Sequence, residues 1–164
     1  MRTISVVLTK YTDWFSKLFW FINGGGYTHA SLALDYQAET MYSFNFKGFC
    51  RETMARHRRR GVRESVSYTL AIPDAAYDSL VWRIRKFERR RRQYRYTKLG
   101  VLMCLLRIPF VQRNRYFCSQ FVAEALSSSG ALRLRKHPAL YLPNHFMQEL
   151  AHCAQLTRIR YNPV

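Results

Sequence analysis

The chain has 164 residues, a length that fits one domain, and we predict a single domain over residues 1–164. Hydrophobic residues make up 48% of the chain, which is enough for a core and excludes a disordered protein. The net charge is +17, from 27 Lys and Arg against 10 Asp and Glu, and it predicts an anionic polymer, an anionic membrane surface or an acidic substrate as partner.

The first half of the chain predicts strands and one helix. Hydrophobic and alternating runs predict four strands, at residues 4–9, 28–34, 40–46 and 65–72. Thr12 is the expected cap of a helix whose apolar face has helical spacing and consists of Phe15, Leu18, Phe19 and Ile22. Three glycines, residues 24–26, end this helix with a backbone that is free to adopt positive φ.

The second half predicts mainly helices. Pro73 opens a long one with an apolar stripe made of Tyr77, Leu80, Val81, Ile84 and Phe87. Further helices are expected over residues 98–107, from Cys118 to Gly130, and from Asn144 to about Cys153. Residues 155–161 predict a last strand. The order indicates an α+β fold, with an antiparallel sheet or half-barrel packed against helices.

Cys118 is the first candidate for chemistry, because it lies where a predicted helix begins. The positive end of the helix dipole and the unpaired N–H groups of the first turn favour the thiolate, which is the reactive form. The same N–H groups can hold an oxyanion. The alternative interpretation is a buried structural cysteine, which is common among free thiols.

His29 is the candidate base. Alternation along its strand places His29 on the same face as Ser31 and Ala33, which are small enough for a helix to approach and bring Cys118 within hydrogen-bonding reach. The alternative is a core histidine bonded to backbone.

A third group should orient the imidazole of His29, and two strand registers offer different candidates. If Leu34 pairs with Thr40, Asn45 lies opposite His29; a slip of two residues places Ser43 there instead. Both side chains can accept from a ring N–H. We expect no carboxylate at this place, because the nearby Asp35 and Glu39 fall in the turn.

Several segments in order resemble the circularly permuted NlpC/P60 papain-like hydrolases. They are Tyr27-Thr28-His29-Ala30-Ser31-Leu32-Ala33-Leu34-Asp35, Met41-Tyr42-Ser43-Phe44, Gly48-Phe49 with Glu52, Phe117-Cys118-Ser119-Gln120-Phe121-Val122 and Leu142-Pro143-Asn144-His145-Phe146. Ordinary members have the cysteine helix before the histidine strand, and the order here is reversed. The resemblance covers residues 3 to 160.

The resemblance implies a papain-like fold with Cys118 as nucleophile, His29 as base and Ser43 at the third position. It implies cleavage of an amide or ester bond in a peptide, a cell-wall fragment or a lipid, through an acyl-thioester and without a cofactor. A thiol acyltransferase is an alternative, since an acceptor other than water can resolve the thioester. Family members commonly carry a stronger orienting residue than serine at the third position.

Two basic runs favour a different class of function. They consist of Arg56, Arg58, Arg59 and Arg60, and of Arg89, Arg90, Arg91 and Arg92. The rival hypothesis is a protein that binds nucleic acid or an anionic surface without catalysis. The simplest alternative is that the runs form a solvated basic face with no binding role. No zinc-finger or other nucleic-acid signature accompanies the runs.

The remaining cysteines and histidines predict no metal site. The thiols, at Cys50, Cys104, Cys118 and Cys153, form no CxxC pair, and His145 and His152 near Cys153 lack a fourth ligand with sensible spacing. The N-terminus lacks the features of a signal peptide, and the longest apolar stretches are too short to cross a bilayer. We therefore expect a cytoplasmic protein with reduced thiols.

Overall fold

The computed structural model describes residues 1–12, 17 and 24–164. Within them, eight strands are β1 (Arg2–Lys10), β2 (His29–Ala33), β3 (Thr40–Asn45), β4 (Gly48–Thr53), β5 (Glu64–Ile72), β6 (Arg95–Tyr96), β7 (Arg115–Tyr116) and β8 (Leu156–Tyr161). Six form an antiparallel sheet in the order β4-β3-β2-β1-β5-β8, and β6 and β7 form a small parallel pair. Strands β1 to β4 pair in chain order, whereas β5 pairs with β1 and β8, neither of which is its neighbour in the chain.

Five α-helices of the described chain are α1 (Met54–Arg59), α2 (Asp74–Arg89), α3 (Lys98–Leu105), α4 (Cys118–Ser128) and α5 (Pro143–Leu150). Helix α4 buries an apolar face that begins at Phe121 and Val122, and this face shares one core cluster with Ala30 and Leu32 of β2. The expected α+β class, an antiparallel sheet packed against helices, is thus confirmed. No helix among the described residues is long and apolar enough to cross a membrane.

One predicted element lies largely outside the described residues, and others differ from the structure. The helix expected from Thr12 to Ile22 falls largely outside the described residues. Strand β4 and helix α1 were not predicted. Helix α5 starts at Pro143, one residue before the expected cap, and the side chain of Asn144 turns away from the helix end to the glycine loop, where it accepts from Tyr27 N and donates to Gly25 O.

The second face of the sheet is buried although it is lined by small polar side chains. They include Ser5, Thr9, Ser31, Ser43, Ser65, Ser67 and Thr69. Helix α1 and the C-terminal residues lie over this face: Arg58 Nη2 donates to Pro163 O, and Val164 N donates to Ser65 Oγ. Small side chains allow the close approach of these covering segments, and their hydroxyls keep hydrogen-bonding capacity in the interior.

The glycine loop before β2 requires positive φ, as the sequence predicted. Gly24, Gly25 and Gly26 have φ of 73°, 92° and 95°. A side chain at Gly26 would collide with the amide of Asn144, whereas the space around Gly24 is open. The loop therefore fixes the entry of the chain into β2, whose first residue is His29.

Replacing Gly26 by alanine is expected to destabilise the fold by about 2–3 kcal/mol, because both the backbone conformation and the contact with Asn144 become strained. Gly24→Ala is the matched control: it carries only the backbone cost, about 1 kcal/mol. Thermal unfolding of the two variants measures the difference. Equal losses would contradict the close approach of Asn144 to the loop.

Candidate active site

Cys118 is the first residue of α4 and is 7% exposed. Helix α4 packs on the Ala30 and Leu32 face of β2, not on the face of His29, Ser31 and Ala33 as the sequence analysis expected. The thiol still meets His29, because β2 begins at this histidine and the tip of α4 lies beside it. The thiol and the imidazole line the same cavity, and each shifts the pKa of the other. The backbone of Ala30 and Ser119 also acts to lower the pKa of the thiol.

A buried carboxylate holds the other side of the imidazole. His29 Nε2 donates to Glu52 Oε2 over 2.9 Å, which leaves Nδ1 as the ring nitrogen for Cys118. Ser31 Oγ donates to the same oxygen over 2.8 Å, and Glu52 is only 2% exposed. The side chains of Cys118, His29 and Glu52 therefore follow one another as thiol, imidazole and carboxylate, the order that a Cys–His site with an orienting group requires.

A second histidine lies behind the carboxylate. His57 of α1 places Nε2 3.5 Å from Glu52 Oε2, an ion-pair distance longer than a good hydrogen bond. Its Nδ1 and the hydroxyl of Tyr11 are joined by a hydrogen bond of 2.6 Å. Glu52 is thus held between two imidazoles in the interior.

The electrostatics favour a charged thiolate–imidazolium pair. Burial raises the pKa of the Cys118 thiol, but the hydrogen bond and the charge of His29, followed by the N–H groups of Ala30 and Ser119, outweigh it, and the pKa is lowered from its usual value. Burial lowers the pKa of His29, yet the charge of Glu52 and the hydrogen bond with Cys118 hold it well above the usual value. A lowered thiol pKa is the property of a reactive cysteine.

Glu52 supplies the charge that keeps His29 protonated. Burial of its carboxyl raises the pKa, but the charge and hydrogen bond of His29, and then His57, hold the pKa well below its ordinary value. An ionised carboxylate at this depth is tolerated only because it is paired and hydrogen-bonded.

The other thiols have the opposite character, although all four cysteines are free. Burial raises the pKa of Cys50 to about 12 and that of Cys104 to about 11, and burial likewise raises the pKa of Cys153. Cys118 is therefore the thiol that we expect to react first with an electrophile near neutral pH.

The two predicted orienting residues bond elsewhere. Ser43 Oγ donates to Ala30 O over 2.6 Å, and Asn45 Oδ1 accepts from Lys47 N over 2.9 Å. The observed pairing of Leu32 with Tyr42 and of Ala33 with Met41 follows the register that places Asn45 opposite His29, not the slipped register that favoured Ser43. The expectation that no carboxylate orients His29 is wrong, because Glu52 reaches it from β4.

Sequence reasoning missed the role of Glu52 although a signal was present. Strand β4 pairs with β3 so that Cys50 lies opposite Ser43 and Glu52 opposite Met41. Alternation therefore places Glu52 on the face of β3 that carries Ser43, and this is also the face of His29. A charged residue on the buried face of a strand is rarely retained without a partner, which makes it a candidate for the site.

The thiol opens into a cavity of about 350 Å³. Its walls are largely aromatic and include Tyr11, Phe44, Phe46 and Tyr96, with Asn45 also on the lining and Arg60 as the cation. Burial, followed by the charge of Cys118, raises the pKa of Tyr96 far above its usual value, so this phenol stays protonated. Besides the charged pair of His29 and Glu52, the cavity thus offers apolar walls, the guanidinium of Arg60 and the neutral hydroxyl of Tyr96.

The two basic runs lie in different places. The first forms α1, whose Arg60 cap reaches the cavity of Cys118. Arg89 and Arg90 of the second run line a separate groove along α2, and Arg91 Nε donates to Phe49 O. Only Arg60 of these arginines is placed to meet a substrate at the thiol.

Among residues 1–12, 17 and 24–164, no group of three histidine, cysteine, aspartate or glutamate side chains is arranged to hold a metal ion. His145 Nδ1 instead accepts from Leu142 N at the start of α5. A scan of the sequence against models of known protein families matches none of them, and a search among curated proteins likewise gives no match.

Proposed function

We propose that the protein is a thiol hydrolase that cleaves an amide or ester bond with Cys118 as nucleophile, His29 as base and Glu52 as the residue that orients His29. The observation that carries the proposal is the buried line from the sulfur to the imidazole to the carboxylate at the wall of an open cavity. A structural cysteine needs neither a lowered pKa nor an adjoining cavity.

The fold supports the same family as the sequence resemblance. A helix that carries the nucleophile at its N-terminus packs against an antiparallel sheet whose neighbouring strand begins with the base. The histidine precedes the cysteine in the chain, as in permuted papain-like hydrolases. We therefore propose a permuted papain-like domain, with Glu52 in the place that the resemblance gave to Ser43.

The chemistry follows from the positions of these groups. The proton of the Cys118 thiol is already held by the imidazole of His29, and the thiolate attacks the substrate carbonyl carbon. The N–H groups at the start of α4 and the Tyr96 hydroxyl are the donors available to the resulting oxyanion. The bond to the amine or alcohol breaks, and His29 returns the proton to that leaving group.

Water then resolves the thioester that remains on Cys118. His29 takes a proton from the attacking water, the C–S bond breaks, and the proton returns to the sulfur as the carboxylic acid leaves. An amine or alcohol in place of water gives acyl transfer by the same steps, so the residues serve both reactions.

Exposure to p-nitrophenyl esters of increasing chain length tests the proposal. We expect release of nitrophenol and, in intact-mass spectra, one acyl group on Cys118. Cys118→Ala should lose both, since removal of a nucleophile typically costs several orders of magnitude in rate. Cys153→Ser is the control and should keep both. An acyl group on another residue, or release that survives Cys118→Ala, would contradict the proposal.

A further inference from the structure

Helix α3 and the loop after it carry apolar side chains on the outside of the molecule. The buried side of α3 is formed by Gly100, Val101 and Cys104. Its opposite side and the loop form what we call the α3 patch, whose exposed residues are Leu99, Leu102, Leu106, Ile108 and Val111. Leu102 is 53% exposed and Leu106 59%. Contiguous apolar side chains of this kind mark a surface that meets a partner.

The charges of the chain segment that carries the α3 patch are all of one sign. Between Glu88 and Glu124 the sequence contains no acidic residue. The basic residues flanking the patch are exposed and comprise Arg95, Lys98, Arg107, Arg113 and Arg115. An apolar centre with a basic rim matches the interface of an anionic bilayer, where hydrocarbon receives the leucines and headgroup phosphates receive the cations.

Other occupants fit this surface less well. A nucleic acid would satisfy the basic rim but leave the five apolar side chains of the patch against phosphate and water. A second copy of the chain would bring together two molecules of net charge +17, with the same basic rims facing each other. The combination of apolar centre and positive charge therefore favours the lipid surface.

The α3 patch is continuous with the mouth of the active-site cavity. Leu99 and Lys98 line a groove together with Phe46 and Tyr96, and these two aromatic residues also line the cavity of Cys118. The Phe46 and Tyr96 rings meet edge to face with centroids 5.0 Å apart, and Lys98 Nζ lies 5.5 Å from the centre of the Phe46 ring. A bilayer at α3 thus adjoins the rim of the reactive thiol.

We propose that the α3 patch docks the protein on an anionic phospholipid bilayer. Docking places the cavity at the lipid surface, where the acyl chain of a lipid-borne ester or amide can enter along the Phe46 and Tyr96 wall. This choice of substrate class rests on the proposed hydrolase function; the docking itself does not.

Flotation with vesicles separates the two claims. Wild-type protein and Cys118→Ala should both float with phosphatidylcholine vesicles that contain phosphatidylglycerol, and bind pure phosphatidylcholine far less. A Leu102→Gln, Leu106→Gln double variant keeps every charge and alters only exposed side chains. We expect it to need at least about tenfold more anionic lipid for half-maximal binding. Trp82→Gln, at a 62% exposed apolar position on α2, is the matched control and should bind like wild type.

Equal binding of the double variant and the wild type would overturn the proposal, because the net charge alone would then account for attachment. Absence of wild-type binding to the vesicles would also overturn the proposal. If, in addition, sedimentation showed a wild-type dimer that the double variant does not form, the patch would be an interface between two copies of the chain. Cys118→Ala is tested beside the wild type, so vesicle binding can be interpreted even if the hydrolase proposal fails. Ester cleavage without vesicle binding would support the hydrolase proposal and contradict the docking proposal.

Discussion

Replacing His29 by alanine is expected to slow the alkylation of Cys118 by iodoacetamide up to about 100-fold near pH 7. His29 is the group that lowers the pKa of the buried thiol, and without it burial dominates and raises that pKa. A thiol with a pKa near 9 is only about 1% ionised at pH 7, and the thiolate is the nucleophile. The rate should recover as the pH rises through the restored pKa.

The measurement is the second-order rate constant of labelling at Cys118, followed by mass spectrometry across a pH series. The wild type should hold its rate below the usual thiol pKa and lose it only in acid, where the thiolate is protonated. His152→Ala removes an exposed histidine and serves as the control with a wild-type profile. A His29→Ala profile that coincides with wild type would show that the imidazole does not activate the sulfur.

Local patterns were sufficient for the elements that carry regular apolar spacing. The strand predicted at residues 65–72 is β5, and the predicted helices after Pro73 and from Cys118 match α2 and α4 within a few residues. Each of these segments buries one continuous stripe or run of apolar side chains, so the spacing of apolar residues in the sequence indicates directly which side chains are buried. Strand β4 was missed because Glu52 interrupts its apolar character, and α1 because a run of arginines hides its buried His57.

The candidate pair of Cys118 and His29 could be proposed from the sequence, but its geometry could not. Helix-start placement singled out Cys118, and strand alternation singled out His29. Their meeting depends on where along β2 the tip of α4 lies, because a helix tip can reach the first residue of a strand from either face. The contact is set by tertiary packing of Phe121 and Val122 against Ala30 and Leu32, which no local pattern contains.

The orienting group was harder still to predict from the sequence, because Glu52 reaches His29 across an intervening strand. Strand β3 lies between β2 and β4, and Ser43 on β3 is small and bonded to Ala30 O. A large side chain at Ser43 would separate the carboxylate from the imidazole. This explains why serine, a poor orienting group, stands at position 43: its small side chain leaves room for the carboxylate of Glu52 on the next strand.

Replacing Glu52 by glutamine is expected to lower the free energy of unfolding by about 3 kcal/mol in weakly acidic solution, since removal of one partner leaves a buried imidazolium uncompensated. The side-chain volume is nearly unchanged, so the loss reports the hydrogen bonds to His29 and Ser31 and the charge of the carboxylate. Urea unfolding followed by circular dichroism measures it. Glu39→Gln, at an exposed turn position, is the control and should be neutral.

The pH dependence of this loss identifies its cause. The pKa of Glu52 is lowered in the folded protein, so its contribution is present above the unfolded pKa and disappears as the pH falls through the folded value. The pKa of His29 is raised, so its contribution is complete below its unfolded value of about 6.5 and disappears as the pH rises through the folded value. The gap between wild type and Glu52→Gln should therefore be widest at about pH 5–6.5 and narrow on either side. A stability difference that does not change with pH would mean that Glu52 stabilises the fold by packing and not through its charge interaction with His29.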